Sequence, residues 1–318
     1  MKAIRRNGYG SPEVLHLTEV EKPVPGEGEV LVKICAAGVN PVDYHTLKGG
    51  LARFIGWLLR IPENPRVGTD LAGRVEAVGH NITQFKPGAE VFGTCVGSFA
   101  EYALARENRL ALKPATISFE AAAAVPVAAL TALQGLRDKG HIQSGQRVLI
   151  NGASGGVGTF AVQIAKAFGT EVTAVCSPRN LAMARSIGAD QVIDYTQEDF
   201  THHGRPYDLI LAVNGYHSLL AYWRALSPHG VYVAAGGTLA QFSQALLLGP
   251  WVSKIGSKQM GSMGITKINQ PDLVFMSELL AAGKVKPVIE RCYSLSEVAD
   301  AMRYIGTGHA QGKVVITV

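Results

Sequence analysis

The chain has few cysteines, and none of them stands in the arrangements in which cysteine usually has a structural role. Its 318 residues include 4 cysteines, and no CxxC pair occurs. Closely spaced cysteine pairs are the signature of structural zinc, and dense cysteine frameworks are typical of small secreted domains. We therefore expect no structural zinc and reduced thiols, as is typical of a cytoplasmic protein.

Long apolar runs and long charged runs are also missing. The N-terminus, MKAIRRNGYG, lacks the apolar core of a secretory signal, and the most apolar stretch, residues 51–61, contains Arg53 and Arg60. That stretch is too short to span a bilayer and is interpreted as an amphipathic or buried helix. The net charge of +5 is spread along the chain without a basic cluster, which suits an anionic cofactor better than a nucleic acid. We predict neither a membrane nor a nucleic-acid partner.

Two parts of the chain differ in their patterning. The composition, 47% hydrophobic and 17% charged, is that of a globular protein long enough for two domains. Up to residue 115, short strand-like segments such as EVLVKICAAGV are separated by glycine and proline, which predicts a β-rich, barrel-like domain. From there on, apolar strands alternate with helices, which predicts a parallel sheet. The terminal GKVVITV is predicted to be a strand that returns to the first domain or lies at its edge.

A strand, a glycine-rich turn and a helix follow one another in residues 147–169, RVLINGASGGVGTFAVQIAKAFG. The turn has the spacing A-x-G-x-x-G at Ala153, Gly155 and Gly158. The first turn of a helix has unpaired N–H groups at the positive end of its dipole, and these bind a pyrophosphate. Gly155 lets the backbone approach the phosphate, and Gly158 lets the helix pack on the strand. A loop without a ligand is the alternative. The predicted dinucleotide-binding turn comprises Ala153, Ser154, Gly155, Gly156, Val157 and Gly158.

The end of the next strand lacks the acidic residue that usually binds the ribose hydroxyl of NAD about 20 residues past the glycines. The sequence there is CSPRN, which offers Ser177, Arg179 and Asn180. A guanidinium binds phosphate through charge-assisted hydrogen bonds, so we predict NADPH rather than NADH. In the alternative, Arg179 is a surface residue, and Ser177 and Asn180 cap the next helix. Tyr195, after the third strand, either adds a hydroxyl to the same phosphate or is a packed aromatic.

Several further motifs accompany this turn along the chain. They are GVNPVDYHTLKGG, GTDLAGRVEAVG, PVAALTALQGL, SIGADQVIDY and the terminal GKVVITV. With NGASGGVG and CSPRN, they resemble the zinc-free quinone oxidoreductase and alkenal reductase branch of the medium-chain dehydrogenase/reductase superfamily. The resemblance covers essentially the whole chain. The chain is similar to the ζ-crystallin-like quinone reductases, and closer still to the plant chloroplast-envelope quinone oxidoreductase homologues and alkenal reductases.

The resemblance implies an α/β fold with two domains. A central Rossmann domain is expected in residues 116–284, and a β-rich GroES-like catalytic domain in residues 1–115 and 285–318. The active site is expected in the cleft between the two domains. The family also implies a homodimer.

The resemblance bears on metal chemistry as well. Zinc-dependent relatives have a Cys ligand near Asn40 and a His-Glu pair near Thr69 and Asp70, so these residue types imply no catalytic metal. Without a Lewis acid, ordinary alcohol dehydrogenation is disfavoured. A quinone or an α,β-unsaturated carbonyl carries the incoming charge on its own oxygen, so one of these is the expected substrate.

In the family, the Asn and Asp of the GVNxxD motif line the substrate cleft, which implies this location for Asn40 and Asp43. Asn40 is expected to donate to a substrate carbonyl or to the nicotinamide amide. Asp43 either contacts the substrate or holds its loop by accepting backbone N–H bonds. Tyr44 and His45 are candidate proton donors; the alternatives are a half-buried aromatic, an exposed histidine, and a proton from solvent. Residues 51–59 are expected to be a substrate-side flap.

Five further positions are expected to contact the cofactor. Thr131 resembles the family threonine near the nicotinamide-side phosphates, although it could instead bond a carbonyl of its own helix. Asn214, Gly236 and Gly237 stand at the ends of the fourth and fifth strands, where ligands bind in open α/β sheets, or else form plain turns. Lys313 resembles the family's terminal GK motif; a surface lysine is the alternative.

These observations predict an NADPH-dependent oxidoreductase that transfers hydride to a quinone or an α,β-unsaturated carbonyl without zinc. The alternative is a low-turnover NADPH-binding protein that acts as a sensor or an RNA-binding module, as some relatives of the family suggest. Both hypotheses share the cofactor signature. Multiple turnovers of NADPH with any electrophile would exclude the second.

Overall fold

A computed structural model describes residues 1–49, 66–202, 204–236 and 257–318. The predicted helix and flap within residues 51–61, as well as Gly237, lie outside the described residues. The chain forms two compact units. The β-rich unit comprises Met1–Val127, Ile268–Ala282 and Ile289–Val318, and the parallel-sheet unit comprises Ala128–Lys267 and Gly283–Val288.

Strands account for much of the described chain. In chain order they are β1 (Lys2–Arg6), β2 (Leu15–Glu19), β3 (Glu29–Val39), β4 (Asp70–Val78), β5 (Glu90–Thr94), β6 (Tyr102–Arg106), β7 (Leu110–Leu112), β8 (Arg147–Asn151), β9 (Glu171–Cys176), β10 (Gln191–Asp194), β11 (Tyr207–Ala212), β12 (Leu226–Ala234), β13 (Gln259–Ser262), β14 (Ile289–Ser294) and β15 (Lys313–Thr317).

The described helices span 5 to 12 residues each. They are α1 (Pro41–Lys48), α2 (Phe119–Ala123), α3 (Pro126–Gln134), α4 (Gly156–Ala167), α5 (Leu181–Ser186), α6 (Leu219–Ala225), α7 (Gln270–Ala281) and α8 (Val298–Gly306). Within the described ranges, no helix has the length and apolar character needed to cross a membrane.

The sheet of the β-rich unit is built around β3. Its strand order is β14-β15-β3-β4-β5-β7, and β6 also pairs with β3. β14 and β15 are parallel to each other, whereas β3 pairs antiparallel with β15, β4 and β6. Val314 of the last strand lies opposite Val39, which confirms that the C-terminal segment returns to the β-rich part of the chain. Alternate apolar residues of these strands, among them Val32 and Leu71, are buried in one core.

The sheet of the parallel-sheet unit has the order β10-β9-β8-β11-β12-β13 in the described chain, with every neighbouring pair parallel. This is the 3-2-1-4-5-6 order of a dinucleotide-binding fold, whose direction reverses between its first and fourth strands, here β8 and β11. Val148, Leu149 and Ile150 of β8 are fully buried, as expected of a parallel strand that is covered on both faces. The predicted fold class, a Rossmann sheet together with a β-rich unit, is confirmed.

The division between the units differs from the predicted boundaries in three places, one of which is residues 285–288, which were predicted in the catalytic domain and belong to the parallel-sheet unit. Residues 116–127 belong to the β-rich unit, in which α2 packs closely on β3: a β-carbon on Gly38 would come within 2.4 Å of the Ala123 carbonyl oxygen. Residues 268–282 also belong to it, because α7 covers the edge strand β7. Gln270 Nε2 donates to the Leu110 carbonyl at 3.0 Å, and Ser277 Oγ donates to the Leu112 carbonyl at 3.0 Å.

Candidate functional site

The glycine-rich turn connects β8 to α4 at the point where the strand order reverses. The N–H groups of Gly152 and Ala153 both donate to the Val175 carbonyl of β9, each at 3.1 Å. Gly152 has a positive φ of 87°, whereas Ala153 keeps a negative φ, so alanine is tolerated at the first position of the motif. The Ala153 N–H is therefore used within the chain, and the turn offers other N–H groups to a ligand.

Gly155 and Gly158 are glycines for different reasons. A β-carbon on Gly158 would come within 2.1 Å of the Gly152 carbonyl oxygen, so this position needs glycine for α4 to pack on the turn. A β-carbon on Gly155 would meet no described atom closer than 3.9 Å, and its φ of −81° suits any residue. The described residues therefore leave open the space at Gly155, which a cofactor phosphate would fill.

The start of α4 supplies the donors for such a phosphate. The N–H of Thr159 is bonded to the Gly155 carbonyl at 2.9 Å. The N–H groups of Gly156, Val157 and Gly158 precede the first hydrogen bond of the helix, so helix geometry gives them no acceptor in α4. They lie at the positive end of the helix dipole, which favours an anion.

The CSPRN segment follows β9 at the same edge of the sheet. Asn180 Nδ2 is 2.9 Å from Ser177 Oγ, and Asn180 is buried with no partner for its Oδ1 atom among the described residues. Ser177 and Asn180 both stand at the N-cap positions of the helical turns that follow them, but neither side chain forms a cap hydrogen bond there. Arg179 is exposed. The segment thus presents a hydroxyl and a guanidinium at the surface.

Tyr195 lies beside this segment because of the register of β9 and β10. Asp194 is paired with Cys176, so Tyr195 lies next to Ser177. Its side chain is 49% exposed, which contradicts the interpretation as a packed aromatic. Its ring lies 5.9 Å from that of Tyr216, which follows β11 and which the sequence analysis did not single out. The only sequence signal for Tyr216 was its position shortly after a strand end.

Three further positions expected at the cofactor, Thr131, Asn214 and Gly236, lie in the same unit. Thr131 of α3 is buried, and its hydroxyl is 2.7 Å from that of Thr266. Asn214 is exposed, and its N–H donates to the Asn151 carbonyl at the end of β8. Gly236 is required by the chain itself, because a β-carbon there would come within 2.3 Å of the carbonyl oxygen of Val213.

A buried polar cluster lies in the β-rich unit, where three strands meet. Gly38 of β3 pairs with Asp70 of β4, and Val39 pairs with Val314 of β15, so Asn40, Asp70 and Lys313 come together. Asn40 Nδ2 donates to Asp70 Oδ2 at 2.9 Å. The Lys313 ammonium donates to Asn40 Oδ1 at 2.6 Å, to the Val39 carbonyl at 3.1 Å and to Asp70 Oδ2 at 3.4 Å.

Lys313 is therefore not the surface lysine of the alternative interpretation, since its side chain is only 3% exposed. Its three acceptors lie within the β-rich unit, one for each ammonium hydrogen. A lysine in a terminal strand is mostly an exposed residue, so nothing local in the sequence indicated this location. A direct cofactor contact by Lys313 stays a prediction that these bonds do not favour.

Asp43 holds the start of α1. Its Oδ2 accepts from the Asn40 N–H at 2.9 Å, and its Oδ1 accepts from the Thr69 hydroxyl at 2.9 Å. The carboxylate is buried and thus has the backbone-holding role that was the alternative to substrate contact, although at a helix start rather than in a loop. Asp70 Oδ1 accepts from the Val127 N–H at 3.1 Å. The sequence marks Thr69 and Asp70 only as positions that lack the His-Glu pair of the zinc-dependent relatives.

Burial governs the acidity of both carboxyl groups. It raises the pKa of Asp43 to about 7, with a further contribution from the nearby charge of Asp70, against the lowering effect of its two hydrogen bonds. Burial also raises the pKa of Asp70, and the Lys313 ammonium opposes that rise. A cluster with one ammonium and two carboxyl groups is closest to electrical balance when Asp43 keeps its proton.

Tyr44 and His45 both lie on α1. Tyr44 is half-buried against the core of the β-rich unit, and its hydroxyl lies over Gly306 of α8, where a β-carbon would come within 2.7 Å of it. The Lys48 ammonium lies 4.5 Å from the centre of the Tyr44 ring. His45 is exposed. The structure places both residues as the alternative described them, a half-buried aromatic and an exposed histidine.

The parallel-sheet unit fits a dinucleotide phosphate on three observations of its own. They are the open space at Gly155, the N–H groups at the start of α4, and the unpartnered Asn180 Oδ1 beside Ser177. In the β-rich unit, by contrast, Asn40 bonds to Asp70, both accept from Lys313, and the Thr69 hydroxyl donates to Asp43. Within the described ranges, no group of three or more His, Cys, Asp and Glu side chains is arranged to hold a metal ion.

Comparisons with known proteins place this arrangement in a family. The family described as "Alcohol dehydrogenase GroES-like domain" matches residues 26–115, and that described as "Zinc-binding dehydrogenase" matches residues 187–316. The chain is 36% identical to a chloroplastic quinone-oxidoreductase homolog of Spinacia oleracea, over 99% of this chain and 98% of the relative. It is also 36% identical to a 2-methylene-furan-3-one reductase of Solanum lycopersicum, over 99% and 79% of the two chains.

A solved structure supports the same assignment. The quinone oxidoreductase of Escherichia coli in complex with NADPH superimposes with a TM-score of 0.84 at 25% identity, and the match covers 100% of both chains. The chain therefore belongs to the medium-chain dehydrogenase/reductase superfamily. Within that superfamily it is a member of the quinone oxidoreductase-like branch, which confirms the resemblance.

Proposed function

We propose that the chain is an NADPH-dependent reductase that transfers hydride to a quinone or an α,β-unsaturated carbonyl without zinc. The observation that carries this proposal is which side chains of the β-rich unit occupy the positions of the zinc ligands. Where zinc-dependent relatives have metal ligands, this chain has Asn40, Thr69 and Asp70, and the cation that contacts Asn40 and Asp70 is the Lys313 ammonium. An acceptor that delocalises its own incoming charge suits such a site.

The cofactor would be held mainly by backbone groups. The N–H groups of Gly156, Val157 and Gly158 would bind the pyrophosphate, and the open space at Gly155 admits it. When bound, NADPH supplies the hydride. The names of the relatives support this role, because they are reductases and an NADPH complex is among them.

Selectivity for NADPH over NADH is the finer part of the proposal. Ser177, Arg179 and Tyr195 lie together at the edge formed by the ends of β9 and β10, with the guanidinium and the phenol exposed. A guanidinium beside two hydroxyl groups matches the 2′-phosphate that distinguishes the two cofactors. Thr131, Asn214 and Gly236 are proposed on the nicotinamide side.

Asn40 is the proposed catalytic residue of the β-rich unit. Its amide would donate an N–H to the carbonyl oxygen of the acceptor, where negative charge develops. Asp43 and Thr69 hold the start of α1 and thereby the Asn40 backbone. The proton that completes reduction of an enone comes either from solvent or from Tyr44 or His45, and the packing of Tyr44 favours solvent.

A homodimer and a cytoplasmic location stay predictions. The spinach relative is chloroplastic by name, so location needs a direct measurement such as imaging of a fluorescent fusion. Light scattering on a sizing column would give the oligomeric state, with a dimer at twice 33.8 kDa expected. The comparisons do not favour the low-turnover alternative, since the relatives named above are a quinone-oxidoreductase homolog and a reductase.

The deciding experiment is NADPH oxidation by the purified protein with a 1,4-quinone and with a 2-alkenal in parallel, each repeated with NADH. We expect multiple turnovers with at least one acceptor and a preference for NADPH. Turnover of the quinone alone would identify a quinone reductase, and turnover of the alkenal alone would identify conjugate reduction. Tight NADPH binding without turnover of either acceptor would refute the proposal in favour of the low-turnover alternative.

A further inference from the structure

We propose that Lys313 and Asp70 are positioning residues that lock the side chain of Asn40 in one orientation, so that its amide is an obligate hydrogen-bond donor. The inference rests on the proposed function in one respect, the use of that donor by an acceptor substrate. The orientation itself follows from the geometry of the three residues alone.

The first step is the donor and acceptor chemistry around the amide. An ammonium has only donors, so the atom of Asn40 that lies 2.6 Å from Lys313 Nζ must be the oxygen. An ionised carboxylate has only acceptors, so the atom that lies 2.9 Å from Asp70 Oδ2 must be the nitrogen. Rotating the amide by half a turn would set donor against donor and acceptor against acceptor. The two neighbours therefore determine the orientation from opposite sides.

The second step is that neither neighbour is free to rearrange. The three acceptors of Lys313 account for its three ammonium hydrogens, and its side chain is 3% exposed. Asp70 is fully buried and is held at its other oxygen by the Val127 N–H at 3.1 Å. The backbone of Asn40 is fixed as well, through its N–H bond to Asp43.

The third step concerns the hydrogen of the Asn40 amide that Lys313 and Asp70 leave available. Its oxygen faces Lys313, and one Nδ2 hydrogen faces Asp70; the bonds of the described residues include no acceptor for the second Nδ2 hydrogen. A substrate that reaches Asn40 therefore meets an N–H. A donor that is held in place before the reaction stabilises charge on a carbonyl oxygen without having to reorganise.

A purely structural role for the ion pair is the competing explanation, since Lys313 and Asp70 also join β15 to β4 across β3. The chain offers a matched control for it. Lys113 is a second buried lysine of the β-rich unit, 3.0 Å from Glu90 and bonded to the carbonyls of Pro114 and Ile117. Glu90 pairs with Arg74, four positions along β4 from Asp70, so Lys113 lies away from Asn40.

The experiment is a double-mutant cycle on kcat with the better acceptor. We expect Lys313→Met to lower kcat on the order of 10- to 100-fold, the effect of a displaced catalytic group. In the Asn40→Ala background, the same change should lower kcat by less than about 2-fold, because the group it positions is gone. Lys113→Met should leave kcat within about 2-fold of wild type, while thermal unfolding reports its structural cost separately.

Equal factors for Lys313→Met in both backgrounds would overturn the inference and establish a structural role. If Lys313→Met does not fold, Asp70→Asn, which keeps the shape of the side chain, replaces it in the same cycle. The Kd of NADPH, from protein fluorescence, should stay within about 2-fold throughout, because the cofactor groups lie in the other unit.

A second measurement needs no turnover. In protein labelled with ¹⁵N-asparagine, the Asn40 side-chain amide is assigned by its loss in Asn40→Ala. We expect two well-separated hydrogens in the wild type, of which the one bonded to Asp70 exchanges slowly, and loss of that protection in Lys313→Met but not in Lys113→Met. An unchanged amide signal in Lys313→Met would overturn the positioning role. A wild type with a protected amide and no turnover would refute the proposed function while supporting the orientation.

Discussion

The Gly152 carbonyl oxygen lies 2.1 Å from the point where a β-carbon on Gly158 would stand. No described atom comes within 3.9 Å of the corresponding point on Gly155, three residues earlier. One glycine of the motif is thus required by the fold of the chain, and the other is not. Within one turn, Gly158 is therefore needed for folding, whereas the role expected of Gly155 is in cofactor binding.

Alanine substitutions at these two positions should affect different properties: cofactor binding at Gly155 and stability at Gly158. Gly155→Ala should leave the melting temperature nearly unchanged but weaken the binding of NADPH, because the added methyl group would occupy the space proposed for the cofactor phosphate. Gly158→Ala should destabilise the protein by about 1–3 kcal/mol or more, as overpacking against backbone does. Thermal unfolding and fluorescence titration of NADPH measure the two effects. If the Kd of NADPH is unchanged in Gly155→Ala, the proposed position of the phosphate beside Gly155 is wrong.

Replacement of Arg179 should discriminate between the two nicotinamide cofactors. Arg179→Ala should weaken the binding free energy of NADPH by about 1–3 kcal/mol more than that of NADH, since a charge-assisted contact to the 2′-phosphate is lost. Arg185→Ala is the control, because Arg185 is an exposed arginine of the next helix, α5. Fluorescence titration with both cofactors gives the result. Equal weakening of NADPH and NADH would refute the assignment of Arg179 to the phosphate.

The buried Asp43 carboxyl should make stability depend on pH. Its pKa is raised from 3.8 to about 7, so between about pH 4 and pH 7 the folded state keeps a proton that the unfolded state releases. This contribution to stability is complete below pH 4 and is lost as the pH rises through 7. The slope is at most about 1.4 kcal/mol per pH unit.

Urea unfolding of the wild type and of Asp43→Asn at several pH values tests this dependence. The stability of the wild type relative to the variant should fall as the pH rises from 4.5 to 7.5. Asp70 is present in both proteins, but its charge contributes to the raised pKa of Asp43, so the comparison reports the coupled titration of the two carboxyl groups. A constant m-value is the check that unfolding remains two-state. A difference in stability that does not change with pH would show that Asp43 has no raised pKa.

Tyr44→Phe should have little effect on reduction of an enone. The Tyr44 hydroxyl lies against Gly306 of α8, and its ring packs on the core of the β-rich unit, so we expect kcat within about 2-fold of wild type. His45→Gln, at an exposed neighbouring position, is the companion variant. A loss of kcat on the order of 100-fold in either variant, with a changed solvent isotope effect, would assign proton delivery to that residue.

The parallel-sheet unit could be predicted in detail because its signals are local. RVLIN, the glycine turn and the apolar stripe of α4 are adjacent in the chain, and each step of strand, turn and helix has its own residue pattern. The same holds for CSPRN, whose position after a strand end placed Arg179 beside the expected phosphate. The unit boundaries were less predictable, because α2 and α7 join the β-rich unit through contacts with strands distant in sequence.

The residue types of the cluster were evident from the sequence, but their mutual arrangement was not. The absence of zinc ligands at Asn40, Thr69 and Asp70, and the strand character of the last residues, depend on identity and local pattern alone. Lys313 lies 273 positions from Asn40, and only the pairing of β15 with β3 brings its ammonium to the amide oxygen. Strand register is decided by the packing of the whole sheet, because a slip of one residue would turn every side chain to the other face. Sequence thus determined the kind of chemistry available, whereas tertiary structure decided which of these groups bond to one another.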